Sequence, residues 1–451
     1  MEDVTEHHSA YSSEGSADDQ PPTPASALPR PHRWIAAGAA LHLACLHLDA
    51  ASPGDPSPAT IGVRNLLLVV VLPTLLAAAT VRAGRPRAAL RAPVTAFGVL
   101  GALAALGAVR SPYPVAALEQ VGYLWSYGCL FTMYRSLGSM RRPAPCLGAI
   151  WLAVVGVAIA SFHTFVAGNP YGAVTRRLTS YVAPQAFGLA LPIAFSLTLI
   201  GAERGWLAAY SASLAAGSTA VAAVANGSRQ AFVAIIGIWI VAAAPRNGRW
   251  LPPAPFLTLA VAALSLVLLW TVAPSGVRTF MREHHPIDLL LFGKSFAETG
   301  DAGTFRDRLQ IYRALLERTS NAEWAELAIG HGTSSSAVVI ADGDVRYRDY
   351  DAARLDPNRT AHNEFIRAMY EWGLVGALAL AVVVAAPLLD LRRQWRRTRA
   401  PADLCLLAVA TIALLFYSLL GNTLSAASGP LGAALALLYA EIDLRCGERS
   451  A

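Results

Sequence analysis

The chain has 451 residues, of which 55% are apolar and 15% charged, and its formal net charge is +6. So apolar a chain with so few charges excludes an ordinary soluble globular protein and points to a membrane protein with many spans. The basic residues are almost all arginine, Lys294 being the only lysine. They sit in short connections between apolar runs rather than in one patch, which argues against nucleic acid as a partner.

Residues 1–33 differ from the rest, being acidic early, proline-rich late and too poor in large apolar residues to build a core. That composition predicts a disordered cytoplasmic tail, and no basic region leads straight into an apolar stretch as a cleavable signal requires. An apolar window then picks out about twelve spans, near 34–49, 61–81, 93–109, 115–134, 147–167, 181–201, 206–225, 229–245, 252–273, 363–390, 402–421 and 427–443. The expected fold is an all-α polytopic membrane protein. Spans one to nine occupy 34–273, a long polar loop 274–361, spans ten to twelve 362–443, and a short cytoplasmic C-terminus 444–451. The arginine-rich connections 82–91, 135–142, 202–205, 245–249 and 391–399 all fall on one side of this alternation. The positive-inside bias puts them in the cytoplasm with the tail, and the long loop outside. Cys45, Cys129, Cys146, Cys405 and Cys446 lie in or beside spans, so no disulfide framework and no paired-cysteine metal site is expected.

Within the long loop, Thr304 to Arg318 repeats apolar residues at Phe305, Leu309, Tyr312 and Leu316. That is amphipathic-helix spacing, and its face suits the membrane or the bundle. The run GHGTSSS at 330–336 reads as a flexible turn, and 342–359, dense in charge, as irregular chain. His331, between two glycines, reads as too mobile to serve as a base. A loop this long between packed elements is usually functional.

Chemistry concentrates at the end of that loop, where TAHNEFIRAMYEWGLVG covers 360–376. On one continuous helix His362 and Gly373 share a face and Gly376 lies about 40° away, so a titratable head would top a small-residue seam for helix packing. A histidine at the membrane surface can take a proton from a hydroxyl as that oxygen attacks, and a hydrogen bond to the loop is the alternative. Asn363 either caps the helix or orients the imidazole. Arg229 follows a polar break in an apolar run, where its planar fork and the free amides of a helix start suit a pyrophosphate. Arg308 and its neighbour Arg306 lie on the amphipathic helix about 200° apart, so only one would face a shared phosphate, and Arg308 is preferred. Arg176 and Arg177 stand on another outside loop, where they would extend the anion clamp or meet lipid headgroups. The acidic residues of the loop are irregularly spaced. A reaction without metal or cofactor is therefore expected.

His362-Asn363, nine intervening residues, Gly373, two more and Gly376 resemble the signature of the O-antigen ligase superfamily. The Ser228-Arg229 pair and the run RLQIYRALL, with Arg308 and then Tyr312, are also similar to that family's pattern. The resemblance implies a bacterial inner-membrane glycosyltransferase whose site faces away from the cytoplasm. Its donor would be a glycan on undecaprenyl pyrophosphate and its acceptor lipid A core or a growing glycan, with inversion at the anomeric centre. A polysaccharide polymerase and a protein O-oligosaccharyltransferase of the same superfamily are alternatives. A secondary transporter is the competing class. Transporters commonly carry matching broken helices in two similar halves, which this sequence does not display.

Overall fold

The computed structural model describes residues 70–83, 91–138, 184–203, 209–226, 229–243, 301–343, 361, 363–398 and 402–418, with isolated positions between 260 and 271 and between 432 and 442. Among these residues every regular element is a helix. In chain order they are α1 (Leu72–Ala83), α2 (Arg91–Val109), α3 (Pro114–Gly138), α4 (Pro184–Glu203), α5 (Ala209–Asn226), α6 (Arg229–Ala243), α7 (Asp301–Ser320), α8 (Trp324–Ile329), α9 (Ser336–Gly343), α10 (Glu364–Thr398) and α11 (Ala402–Ser418). A helix satisfies its own backbone N–H and C=O groups, which is why long apolar runs take this form away from water. One described helix, α10, is long and apolar enough to cross a membrane, over Glu364–Arg393. Thr95–Val109, Leu191–Ile200 and Ala231–Ala243 are shorter apolar stretches within their helices. The tail over 1–33 and the stretches 34–49 and 147–167 lie outside the described residues.

Helix α10 lies along α2, which with α1 packs on α3, while α4, α5, α6 and α11 form a second group joined to α10 through α11. One apolar cluster runs through both groups, from Leu100, Leu124 and Tyr127 to Phe195, Ile238, Trp372 and Leu406. Alanines such as Ala104, Ala216, Ala223, Ala368 and Ala410 are fully buried within it, and small side chains of this kind let helix backbones approach closely. A smaller cluster of Ile311, Tyr312, Leu315, Val339, Ala361 and Tyr370 seats α7 and α9 on the start of α10.

The structure corrects several sequence expectations. Helix α10 continues through the basic residues 391–398, which were expected to form a connection. Leu391 packs against the core and Arg393 pairs with Asp390 at 3.0 Å, so the last turns keep partners beyond the apolar run. The start of the segment expected to be irregular, Asp342 and Gly343, closes α9, and residues 344–360 lie outside the described ones. On α7 the buried side is Ile311, Tyr312, Leu315 and Thr319, whereas Leu309 and Leu316 of the expected stripe are exposed.

The largest correction concerns α10 itself. Gly373 has φ 69° and ψ −170°, so two helical pieces meet there at a kink instead of one continuous helix. Any side chain at Gly373 would strike the Ala328 carbonyl, and any at Gly330 the Glu371 carbonyl. Both positions also have φ in the left-handed region, where glycine is favoured. The kink therefore lets a second backbone come into direct contact with the helix.

Candidate functional site

At the kink, residues 330–332 lie against the end of the first helical piece. His331 N–H donates to the Tyr370 carbonyl and Gly332 N–H to the Glu371 carbonyl, each at 3.0 Å. Carbonyls at a helix break need partners from outside the helix, and these two amides supply them. The loop is fixed from its other side as well. Thr333 Oγ1 donates to the Ala104 carbonyl at 2.7 Å and accepts from Trp372 Nε1 at 3.0 Å. Thr333 to Ser336 are all buried, so the segment expected to be a flexible turn is a hub between α2 and α10.

Below the hub lies a buried charge network. Arg367 donates through Nε and Nη2 to Glu364 Oε2 at 3.0 and 2.7 Å, and its Nη1 stands 3.8 Å from Glu371 Oε2. The other oxygen of Glu371 accepts from Ser336 Oγ at 2.6 Å. The Arg367 guanidinium also covers the Trp372 ring, 5.3 Å from its centroid. All three charged residues are almost completely buried. Buried charges are retained only with such partners, since removing one strands another. Sequence reasoning passed over this network, although positions 364, 367 and 371 fall within about 60° on a helix. Three charges on one side of an otherwise apolar helix signal an inward polar face.

At the mouth of α10, Asn363 Oδ1 accepts from the amides of Phe365 and Ile366 at 3.0 and 3.1 Å, an N-cap that satisfies two free donors of the first turn. Ala361, fully buried, packs into the cluster with Tyr312 and Tyr370. Arg308, partly buried, lies one turn before Tyr312 on the inward stripe of α7. Burial pushes the Tyr312 hydroxyl above its usual range, and the neighbouring Arg308 charge draws it partly back. Tyr312, one turn after Arg308, and Ala361, the residue immediately before His362, are thus brought to one cluster. Arg229 is the first residue of α6. Arg306 lies near the start of α7. Their side chains, and the whole of His362, Arg176 and Arg177, lie outside the described residues. Gly376 follows the kink, and a side chain there would meet the Trp372 Cβ.

The imidazole of His331 is held in place. It stacks on Tyr370 with centroids 4.4 Å apart and planes 29° apart, and its Nδ1 lies 3.7 Å from Glu326 Oε1. Burial lowers its pKa, Glu326 raises it, and Arg110 and Arg318 lower it further. The flanking glycines had suggested mobility, whereas they admit the α10 backbone and fix the ring.

Residues 212–381, from α5 to the first half of α10, match the O-antigen ligase family. No curated protein matches the chain.

Proposed function

Starting from a region over 212–381 that is of the O-antigen ligase family, and hence from a membrane glycosyltransferase of the ligase and polymerase kind, we propose that the chain transfers a glycan from undecaprenyl pyrophosphate to an acceptor hydroxyl outside the cytoplasm. Such a donor is already activated and needs no nucleotide. Its leaving group needs positive charge, and the attacking hydroxyl needs a base. In this reading Arg308 and Arg229 hold the pyrophosphate, with Arg306, Arg176 and Arg177 as neighbouring contributors. His362 takes the acceptor proton, and Asn363 fixes the helix start that carries it. Direct displacement inverts the anomeric centre, and no metal takes part.

The observation that carries this reading is the packing of α7 on the mouth of α10. It puts Tyr312, one turn after Arg308, in one cluster with Ala361, next in sequence to His362. A positioned donor for developing charge is worth roughly 3 kcal/mol in a partly dry site, so the guanidinium is a large share of such catalysis. Lipid A core is the preferred acceptor, and a growing surface polysaccharide or a protein hydroxyl the second reading.

Reconstituted protein incubated with a glycan on undecaprenyl pyrophosphate and candidate acceptors tests the proposal. The expected product is a glycan on a new hydroxyl with inverted anomeric configuration, formed equally well with a chelator present. Uptake of the glycan into vesicles without any transfer would replace the enzyme by a transporter.

A further inference from the structure

Helices α7 and α8 precede the spanning helix in sequence, yet they carry large apolar side chains on their outer surface. Trp324 is 85% exposed, and Leu309, Leu316 and Ile329 are between 42% and 49% exposed. Single exposed leucines need no explanation on a soluble surface. These are different because α8, which carries Trp324 and Ile329, leads into another apolar surface. Ile329 adjoins the kink at Gly373, and just beyond it Leu374, Val375 and Leu378 of α10 are exposed as well. That part of α10 belongs to the segment long and apolar enough to cross a membrane, so its exposed leucines suit acyl chains. Leu309 and Leu316, seven residues apart, share one stripe of α7, about 100° round from buried Leu315. Arg313, about 40° round α7 from Leu309, is exposed beside that stripe. Apolar residues with tryptophan at one level and arginines beside them are the pattern of a helix lying in the bilayer interface.

We infer that α7 and α8 lie in the bilayer interface as a lateral extension of α10, with Leu309, Leu316, Trp324 and Ile329 among the acyl chains. The occupant of this apolar surface is lipid. Exposure and continuity with α10 do not depend on the chemistry, so this placement holds whether or not the chain transfers glycans. Where that transfer does hold, the inference adds an approach route. Arg308 lies on the stripe next to the lipid-facing one, so a phosphate carried on a membrane lipid would reach it sideways from the leaflet.

A fluorescent amino acid introduced by codon suppression at Leu316 or Trp324 of the full chain, with exposed Glu317 as the comparison site, tests this. The protein is reconstituted in phosphatidylethanolamine and phosphatidylglycerol vesicles, and emission is read with brominated lipid and with aqueous iodide. Brominated lipid should lower emission about two-fold or more at 316 and 324 and leave 317 nearly unchanged, with iodide giving the reverse order. Iodide quenching at 316 and 324 equal to that at 317 would overturn the inference, because the surface would then face water. Protection from both quenchers would overturn it too, because protein would then cover the patch. Helical circular dichroism of each labelled protein shows that it is folded.

Discussion

His331 has a glycine on either side, yet its ring lies flat on Tyr370 and its amide is bonded into α10. Burial lowers its pKa; of the groups that face it, Glu326 opposes that shift and Arg110 and Arg318 add to it. In the unfolded chain the imidazole titrates near 6.5, so as pH falls through that value the unfolded state takes up a proton first. Stability therefore drops with acid across the window from about 6.5 down to the lower folded value. Thermal unfolding of detergent-solubilised protein at a series of pH values should show this slope, and His331→Gln should flatten it. A single glycine controls the neighbouring geometry. Gly373→Ala puts a side chain both into the left-handed region and against the Ala328 carbonyl. The backbone conformation alone costs about 1–3 kcal/mol, and the collision adds to it. A fall in melting temperature or loss of a monodisperse elution peak checks this, and Gly376→Ala, at φ outside that region, shows what a collision alone, there with the Trp372 Cβ, costs.

At the scale of elements, the site depends on how the 330–336 segment joins α2 to α10. Thr333 serves two helices with one hydroxyl. Thr333→Val leaves the Trp372 indole N–H buried without an acceptor, which costs roughly 1–3 kcal/mol. Thr333→Ser keeps both bonds and should melt close to the parent. Glu371→Ala removes a partner from both Arg367 and Ser336, and breaking a buried ion network costs about 3–5 kcal/mol. Unfolding monitored by tryptophan fluorescence reads both. The long apolar helices were legible in the sequence because they follow from a local run of apolar residues, as at Arg91–Val109 and Ala402–Ser418, whereas α8 and α9 were not. The kink was not legible. Gly373 in an apolar run reads as a small residue at a packing seam, and only the arrival of Ala328 and Ile329 shows why no side chain is allowed. The hub was hidden for the same reason, since the partner of Thr333 lies 229 residues away. The inward face of Glu364, Arg367 and Glu371 was legible in principle, because their spacing alone puts three charges on one side of an apolar helix.

For the whole molecule, the arginine-rich connections imply an orientation with the α7–α9 segment on the side away from the cytoplasm. Reporter fusions within 344–360 and within 84–90 should give opposite signals, active outside and active inside respectively. Equal signals would require a different number of crossings between them. In the proposed orientation the mouth of α10, where Tyr312 and the residue before His362 share one cluster, lies at the outer surface. The proposed functional residues were legible as a pattern, His362-Asn363 with Gly373 and Gly376, because their spacing resembles a known signature. Their surroundings, His331, Tyr370 and the Arg367 network, come from contacts between distant segments. The most direct measurement is glycan transfer from undecaprenyl pyrophosphate by reconstituted parent, His362→Ala and Arg308→Gln proteins of equal helical content. The loss expected is on the order of 100-fold or more for His362→Ala, as for removal of a general base, with a similar order for Arg308→Gln as for a lost charge-stabilising donor. Parent-level turnover in both variants would contradict a site built on these two residues.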